Sequence, residues 1–193
     1  MKVAVVILAG GAGTRIGGDK PARLLGGRTL LAHMMTHARR WSDTVAVSLR
    51  EPGQVRVPAD IPVICDVDGA GPLAGVQAAG QFALSKGKGA VLTVPCDTPF
   101  VPGDLLARLS GALDRQAALA SSNGRLHPAC GLWRSEAFTA TSHGVTGSDQ
   151  SLRTFAEWIG YRAVAWNTAP FDPFLNINRP DDLAEAERRW QTL

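Results

Sequence analysis

The feature that most constrains this chain is an apolar run followed at once by a glycine-rich, basic stretch. Residues 3–9 read VAVVILA with no polar alternation, and six glycines fall within the seventeen positions from Gly10 to Gly26. A strand without alternation is typical of the centre of a parallel sheet, where helices cover both faces. Ligands of such sheets bind beyond the carboxyl ends of the strands. The glycine-rich stretch is therefore predicted to lie on the ligand-binding edge of an α/β sheet.

Strand-like and helix-like segments alternate along the rest of the chain. Apolar residues recur at helical spacing in 28–41, with Thr29 as a candidate N-cap, and Pro72 and Gly87 mark the ends of a helix over 71–87. Further strands are predicted at 43–49, 61–66, 90–97, 117–122, 128–134 and 161–166, and further helices at 102–116 (capped by Asp104), 135–141, 149–160 and 180–190. This order predicts a Rossmann-like, three-layer αβα fold with a mostly parallel central sheet.

Composition and charge exclude several classes of protein. A net charge of +3 without a dense Lys/Arg run gives no support for nucleic-acid binding. Every apolar run is far shorter than the roughly 20 residues that span a bilayer, and no signal peptide is evident. Cys65, Cys96 and Cys130 form no CxxC pair and no disulfide framework. We therefore expect a cytoplasmic, globular protein that binds neither nucleic acid nor membrane.

The basic, glycine-rich stretch predicts an anion site, most often one for phosphate. Glycine backbone approaches an anion closely, and Arg15 and Lys20 can add charge-assisted hydrogen bonds to a polyphosphate. A Walker A loop does not fit, because Lys20 lies between Asp19 and Pro21. The dinucleotide fingerprint does not fit either, because Ile16 stands where GxGxxG needs its last glycine. The stretch is therefore predicted to hold phosphate in another arrangement.

Five stretches carry the pattern of a known family. They are LAGGAGTRIGGDK (8–20), GAGPLAG (69–75), VPCDTPFVP (94–102), HPACGLW (127–133) and NINRPDDL (176–183). In this order, and over nearly the full length, they resemble the molybdenum cofactor guanylyltransferases, whose fold is of the glycosyltransferase-A-like (nucleotide-diphospho-sugar-transferase) type. The chain departs from the family pattern in a loop one residue shorter before Asp19, and at Ile16, Ser48 and Arg179.

The resemblance implies transfer of GMP from GTP to molybdopterin (Mo-molybdopterin), which yields molybdopterin guanine dinucleotide and pyrophosphate. It implies Mg²⁺ as cofactor with Asp97 as the metal ligand, and Arg15, Lys20 and Asp97 as the catalytic residues. The nucleotide-binding residues that it implies are Leu8, Ala9, Gly10, Gly11, Lys20, Ser48, Asp66 and Asp97. A capping role in a turn is the alternative for Asp66 and Asp97.

The second half of the chain is expected to bind the acceptor. Asn176 and Asn178 are predicted at the end of a late strand, where a period of two places both on one face, so they could join a metal or pterin site. The alternative is a polar turn before the last helix. Arg125 and His127, in a predicted loop between two strands, are implied to meet the acceptor. Since no linker is evident, we expect one domain over 1–193, with a nucleotide-binding half (about 1–100) and an acceptor-binding half (about 101–193).

Other functions stay open at this stage. A molybdopterin cytidylyltransferase would use the same acceptor with CTP, and a sugar-phosphate nucleotidyltransferase would share the first loop. A non-catalytic nucleotide-binding module is a further alternative, but binding alone does not require the carboxylate of Asp97. A nicotinamide-dependent dehydrogenase is disfavoured by the absent GxGxxG. Molybdoenzymes or their chaperones are conceivable protein partners, although no exposed motif identifies a docking surface.

Overall fold

A seven-stranded sheet forms the centre of the computed structural model, which describes residues 1–11, 19–65, 71–139 and 151–192. In chain order the strands are β1 (Val3–Leu8), β2 (Leu24–Leu25), β3 (Arg28–Thr29), β4 (Val45–Leu49), β5 (Val63–Cys65), β6 (Ala90–Pro95), β7 (Ala117–Ser122), β8 (Arg125–Arg134) and β9 (Tyr161–Trp166). The large sheet has the order β5-β4-β1-β6-β8-β7-β9, and β2 pairs with β3 separately.

Six of the seven strands in the large sheet point the same way. β1 pairs in parallel with β4 and β6, whereas β8 lies antiparallel between β6 and β7. The carboxyl ends of β1, β4, β6 and β7 therefore meet at one edge, together with the amino end of β8. This arrangement confirms the mostly parallel sheet predicted from the sequence.

Helices cover both faces of the sheet. They are α1 (Leu30–Trp41), α2 (Pro72–Ser85), α3 (Leu105–Gly111), α4 (Leu152–Ile159) and α5 (Pro180–Trp190). Val5 and Ile7 of β1 pack in one core cluster with α1 and α3, and Ala4 and Val6 pack in another with α2 and α4. The four central side chains of β1 are fully buried, two against each face, which explains the absence of polar alternation in VAVVILA. None of the helices within the described ranges is both long and apolar enough to cross a membrane.

Several helix ends follow the capping signals of the sequence. The Thr29 hydroxyl accepts a hydrogen bond from the Ala32 amide at 3.1 Å, as expected of an N-cap, and Gly87 takes a φ of +61° just beyond α2. The prediction for α3 was only partly right. Asp104 occupies the N-cap position as predicted, but the helix is shorter than 102–116. The Asp104 side chain makes no capping hydrogen bond and instead accepts one from Trp166 Nε1 at 3.1 Å.

The β7–β8 hairpin also differs from the sequence-based prediction, which placed a loop over 123–127 and began the second strand at residue 128. Asn123 and Gly124 form a two-residue turn with φ values of +46° and +72°, and β8 begins directly after it at Arg125. Positive φ at both positions matches the twist of a hairpin. The pairing then jumps, because Ala120 faces His127 while Leu119 faces Gly131. The three residues 128–130 therefore bulge from β8 near the carboxyl edge.

A third, smaller cluster joins the two ends of the chain. Leu25 and Leu30 pack with Ile177 and Ala186, and Trp190 of α5 covers them. Glu187 Oε1 accepts a hydrogen bond from the Gly26 amide at 3.0 Å. The segment that follows Lys20 is thereby fixed against the C-terminal helix.

Candidate active site

A cleft of about 270 Å³ opens at the carboxyl edge of the sheet. It is lined by Leu8, Gly10, Gly11, Lys20, Ser48, Arg50, Gly71, Pro72, Gly75, Pro95, Cys96, Asp97, Ala129 and Asn176. These residues come from the ends of β1, β4 and β6, the start of α2, the bulge of β8 and the segment before α5. We call this space the carboxyl-edge cleft.

Lys20, Asp97 and Asn178 form a polar cluster at this cleft. Lys20 Nζ donates hydrogen bonds to Asp97 Oδ2 and, at 2.7 Å, to Asn178 Oδ1. The Lys20 side chain is only 13% exposed and that of Asp97 10%, so solvent screens the ion pair little. The one-residue departure from the family pattern before Asp19 therefore does not keep Lys20 from the cleft.

Asp97 follows the end of β6 by two residues and is buried. Its carbonyl accepts a hydrogen bond from the Ile177 amide at 2.9 Å, which ties the end of β6 to the segment before α5. Its Oδ1 is buried and has no hydrogen-bond partner within the described ranges. An unpaired buried carboxylate oxygen is costly unless a ligand completes it, so this atom marks a place for a cation or a donor.

The backbone at the end of β1 is partly committed to the sheet. Leu8 O accepts from the Cys96 amide at 3.0 Å, and the Ala9 amide donates to Ser48 O at 2.8 Å. The Ala9 amide proton is thus used within the fold, whereas Gly10 and Gly11 line the cleft with backbone alone. Arg15, which was predicted to hold a triphosphate, lies outside the described residues.

The wall formed by β4 and α2 contains one residue that the sequence-based prediction missed. Ser48 is buried at the end of β4 and lines the cleft as predicted, and Arg50 lines it two positions later. Residues two apart in an extended chain lie on the same side, so Ser48 itself pointed to Arg50. The predicted nucleotide-binding residue Asp66 lies outside the described residues. The N-terminus of α2, at Gly71 and Pro72, also borders the cleft.

The predicted acceptor residues lie on the β8 side of the edge. Asn176 lines the cleft, but the strand predicted to end in Asn176 and Asn178 is not formed. Residues 176–178 instead lie beside the end of β6 without forming a strand. The Ile177–Asp97 and Lys20–Asn178 hydrogen bonds hold them there. Arg125 and His127 lie in β8 rather than in a loop. His127 is not among the residues that line the cleft, but Ala129 of the adjoining bulge is.

His127 has two neighbours that the sequence did not single out. Its Nε2 lies 2.7 Å from Ser122 Oγ, which in turn donates a hydrogen bond to Asp172 Oδ2 at 2.9 Å. Phe174 stacks on the imidazole with a centroid distance of 4.9 Å. Burial lowers the pKa of His127 below 6.5, Asp172 acts in the opposite direction, and Arg125 adds to the lowering.

In the part of the chain that the structure describes, the other nucleophilic and metal-binding side chains do not form a second site. Burial raises the pKa of the Cys96 and Cys130 thiols, which argues against thiolate chemistry there. His33 is buried, and its Nε2 lies 2.8 Å from Leu25 O. Within the described ranges, no group of three or more His, Cys, Asp or Glu side chains could hold a metal ion. Among the described residues, a cation at Asp97 would therefore find its further protein ligands in amide oxygens, with substrate and water as other ligands.

Comparison with known proteins places these residues in a family context. The model of the MobA-like NTP transferase domain matches residues 5–163. A molybdenum cofactor guanylyltransferase of Rhizobium leguminosarum bv. trifolii (strain WSM2304) is 40% identical over 203 residues, covering 100% of this chain and 95% of the relative.

Solved structures show the same fold. Molybdopterin-guanine dinucleotide biosynthesis protein A from Archaeoglobus fulgidus superposes with a TM-score of 0.76 at 23% identity, with 100% of each chain covered. A Mycobacterium tuberculosis protein solved in complex with manganese gives a TM-score of 0.72 at 15% identity, covering 97% of this chain and 99% of that one.

Proposed function

This chain belongs to the molybdenum cofactor guanylyltransferases, within the MobA-like NTP transferases, and from that premise we propose that it transfers GMP from GTP to molybdopterin. The products are molybdopterin guanine dinucleotide and pyrophosphate. The observation that carries the proposal is the cluster of Lys20, Asp97 and Asn178 at the carboxyl-edge cleft. A module that only binds nucleotides would not need a buried carboxylate with one unpaired oxygen.

Nucleotidyl transfer depends on alignment and charge neutralisation more than on covalent chemistry by the protein. A phosphate oxygen of the acceptor attacks the α-phosphorus of GTP and forms the new bond. The bond from the α-phosphorus to the oxygen bridging the β-phosphate breaks, and pyrophosphate leaves with its electron pair. Lys20 Nζ, held by Asp97 and Asn178, supports stabilisation of the charge that develops at the α-phosphate.

The Asp97 carboxylate fits a hard divalent cation, which we take to be Mg²⁺. Magnesium is bound by one or two carboxylates together with phosphate oxygens and water, and Asp97 Oδ1 is a buried carboxylate oxygen without a hydrogen-bond partner in the described part of the chain. Manganese, named in the M. tuberculosis complex, prefers the same oxygen ligands. When bound, the ion would neutralise triphosphate charge, while Lys20 would still donate its hydrogen bond to Asp97 Oδ2.

The nucleotide would lie between the end of β1 and the start of α2. Gly10 and Gly11 allow close approach of a phosphate, and the N-terminus of a helix as long as α2 favours an anion. Leu8 and Ser48 line the same space and would contact the base and ribose. Ala9 is buried and is not among the lining residues, so its role in nucleotide binding stays a prediction. The roles of Arg15 in holding the triphosphate and of Asp66 in contacting the nucleotide stay predictions.

The acceptor would enter from the β8 side, where Arg125, His127 and Asn176 are found. Its phosphate must reach the α-phosphorus opposite to the departing pyrophosphate, and the bulge of β8 contributes Ala129 to the wall of the cleft on this side. A cytoplasmic location, and molybdoenzymes or their chaperones as receivers of the product, stay predictions.

The experiment that tests the proposal is pyrophosphate release with molybdopterin and Mg²⁺, run in parallel with GTP, CTP and ATP. We expect release with GTP alone, and its loss on chelation of the metal. Asp97→Asn should lower kcat at least about a hundredfold, because it removes the carboxylate that supports metal-assisted charge neutralisation. Asp60→Asn is the matched control, since Asp60 also pairs with a cation but lies on the surface with its side chain 67% exposed.

Each alternative has its own outcome in this assay. Release with CTP alone would identify a cytidylyltransferase. Release only after sugar phosphates replace molybdopterin would identify a sugar-phosphate nucleotidyltransferase. Undiminished GTP turnover by Asp97→Asn would refute the assignment of Asp97.

A further inference from the structure

Three polar side chains form a short chain of hydrogen bonds beside the proposed acceptor path. Ser122, the last residue of β7, is only 2% exposed and lies between His127 of β8 and Asp172. The distances are 2.7 Å from Ser122 Oγ to His127 Nε2 and 2.9 Å from Ser122 Oγ to Asp172 Oδ2. Asp172 Oδ1 accepts a third hydrogen bond from the Phe174 amide at 2.9 Å.

The number of available protons determines which group donates in each of these hydrogen bonds. A serine hydroxyl carries one hydrogen, and an ionised carboxylate only accepts. Since both oxygens of Asp172 accept, the Ser122 hydrogen is directed to Oδ2, and the Ser122 oxygen must accept from His127. The proton of the neutral imidazole is then on Nε2, and its Nδ1 presents a lone pair. Among the residues that the structure describes, Nδ1 has no hydrogen-bond partner.

We infer that Asp172 and Ser122 are positioning residues that hold His127 as the neutral Nε2–H tautomer, so that Nδ1 accepts a hydrogen bond from an N–H group of the acceptor's heterocycle. This inference rests on the proposed function for the identity of the acceptor. Neither Ser122 nor Asp172 would touch the substrate. Both act through the imidazole.

The geometry distinguishes this series of hydrogen bonds from the catalytic triad of a hydrolase. In a triad the carboxylate contacts the histidine, and the histidine takes the proton of the serine. Here Ser122 is the central member, and its hydrogen points away from the imidazole. Because Ser122 is also buried, it is not placed to attack a substrate.

Packing and charge support a fixed, neutral imidazole. Phe174 stacks on the ring at an interplanar angle of 22°, which fixes its plane. Burial lowers the pKa of His127, so the neutral form dominates at pH 7. The charged groups that face it are Asp172 from the segment before α5 and Arg125 from β8 itself, and they act in opposite directions.

His127 also lies next to the reacting region. The bulge that begins directly after it carries Ala129 to the wall of the carboxyl-edge cleft. Phe174, which stacks on the ring, precedes the cleft residue Asn176 by two positions. An acceptor that reaches the cleft along the bulge therefore passes His127. The pterin ring of the acceptor offers N–H donors for the lone pair on His127 Nδ1, whereas the acceptor's phosphate, when ionised, offers none.

The first test measures the tautomer and does not depend on catalysis. The chain has four histidines, so ¹⁵N–¹H correlation spectra of the labelled protein can be assigned by a His127→Gln variant. We expect His127 to carry its proton on Nε2 at pH 7.5. Asp172→Asn should reverse this, because the amide oxygen would keep the Phe174 N–H and the NH₂ group would donate to Ser122. A wild-type proton on Nδ1, or a spectrum unchanged by Asp172→Asn in a folded variant, would overturn the inference.

The second test is kinetic. Ser122→Ala and Asp172→Asn should raise the KM for molybdopterin about tenfold, the value of one good hydrogen bond, while the KM for GTP stays the same. Ser122→Thr keeps the hydroxyl and should restore the wild-type KM. Ser121→Ala is the control, since it removes a hydroxyl from the opposite face of β7. An equal rise in both KM values would overturn the assignment to the acceptor. If no acceptor supports turnover, the proposed function fails, while the tautomer test still decides the role of Asp172 and Ser122.

Discussion

The Lys20 ammonium group joins two segments of the site that are far apart in the chain. Two of its three N–H donors are used, one by Asp97 and one by Asn178. The third donor has no acceptor within the described ranges, so it is left for a phosphate oxygen. A lysine held by two protein oxygens is already oriented before substrate arrives, which reduces the reorganisation needed during the reaction.

We predict that Lys20→Met lowers kcat by about 10²–10³-fold, because it removes a preorganised cation from the α-phosphate and leaves Asp97 without its partner. The matched control is Lys88→Met. The Lys88 side chain is equally covered, at 14% exposed, and is paired with Asp43 away from the cleft. Steady-state kinetics and thermal melts of the two variants give the comparison. Near-normal kcat in folded Lys20→Met would exclude Lys20 from transition-state stabilisation.

Single residues differ in how visible they are from the sequence. Lys20 and Asp97 were predicted as catalytic residues and Asn178 as an acceptor-binding residue, and the fold brings the three side chains together around the Lys20 ammonium group. Arg50 was not predicted, although it follows the predicted residue Ser48 by two positions at the end of β4. The contact between Ser122 and Asp172 could not have been predicted from sequence spacing, because the two residues are fifty positions apart in the chain and only the tertiary fold brings them together.

At the scale of elements, the start of α5 controls the position of Asn178. Asp182 Oδ2 accepts hydrogen bonds from the amides of Asn178 at 2.8 Å and Arg179 at 2.9 Å. The carboxylate therefore satisfies free N–H groups at the helix N-terminus, and it also fixes the backbone of a residue that holds Lys20.

Asp182→Ala should cost about 1 kcal/mol of unfolding free energy, as loss of a helix cap does, and it should lower kcat as well, because Asn178 loses its backbone anchor. Asp181→Ala tests the charge of the first turn alone, and it should leave kcat near the wild-type value. Denaturant unfolding and kinetics on both variants separate the effects. A decrease in stability without any change in kcat would show that Asn178 is held by other contacts.

Helices and strands with clear local signals were predicted well, and those shaped by tertiary contacts were not. β9 and α5 coincide with the predicted segments 161–166 and 180–190, because apolar periodicity and Pro180 define them locally. Asp104 instead bonds Trp166 of β9, a partner that no local pattern reveals. The Asn-Gly pair at 123–124 is a local signal for a two-residue hairpin turn, so the longer loop predicted over 123–127 was wrong. The bulge after His127 is set by the pairing of β8 with β7, and the local sequence carries no signal for it.

At the scale of the whole molecule, the third apolar cluster connects the beginning and the end of the chain. Trp190 packs on His33 at a centroid distance of 4.5 Å and on Phe100 at 6.3 Å. A Cβ atom added at Gly26 would lie 2.0 Å from Nε1 of Trp190, so a side chain larger than glycine cannot fit at position 26 beside the indole ring. The packing holds both sides of the Lys20–Asn178 contact.

Trp190→Ala is predicted to destabilise the fold by about 3 kcal/mol and to reduce GTP turnover in the fraction that stays folded, because both segments that meet at Lys20 lose support. Trp158→Ala is the control on another helix. Trp158 is 58% exposed, so its loss should change stability by less than about 1 kcal/mol and leave turnover unaffected. Melts and kinetics below the transition temperature make the comparison. Equal effects of the two substitutions would contradict a special role for the cluster.

The hydrogen bond from the Ile177 amide to Asp97 also attaches the last part of the described chain to the site. Residues 174–190 follow all seven strands of the sheet in the chain, yet they supply Asn178, one of the two protein partners of Lys20. A chain shortened before residue 174 would therefore retain every strand of the sheet but lose part of the arrangement that orients Lys20.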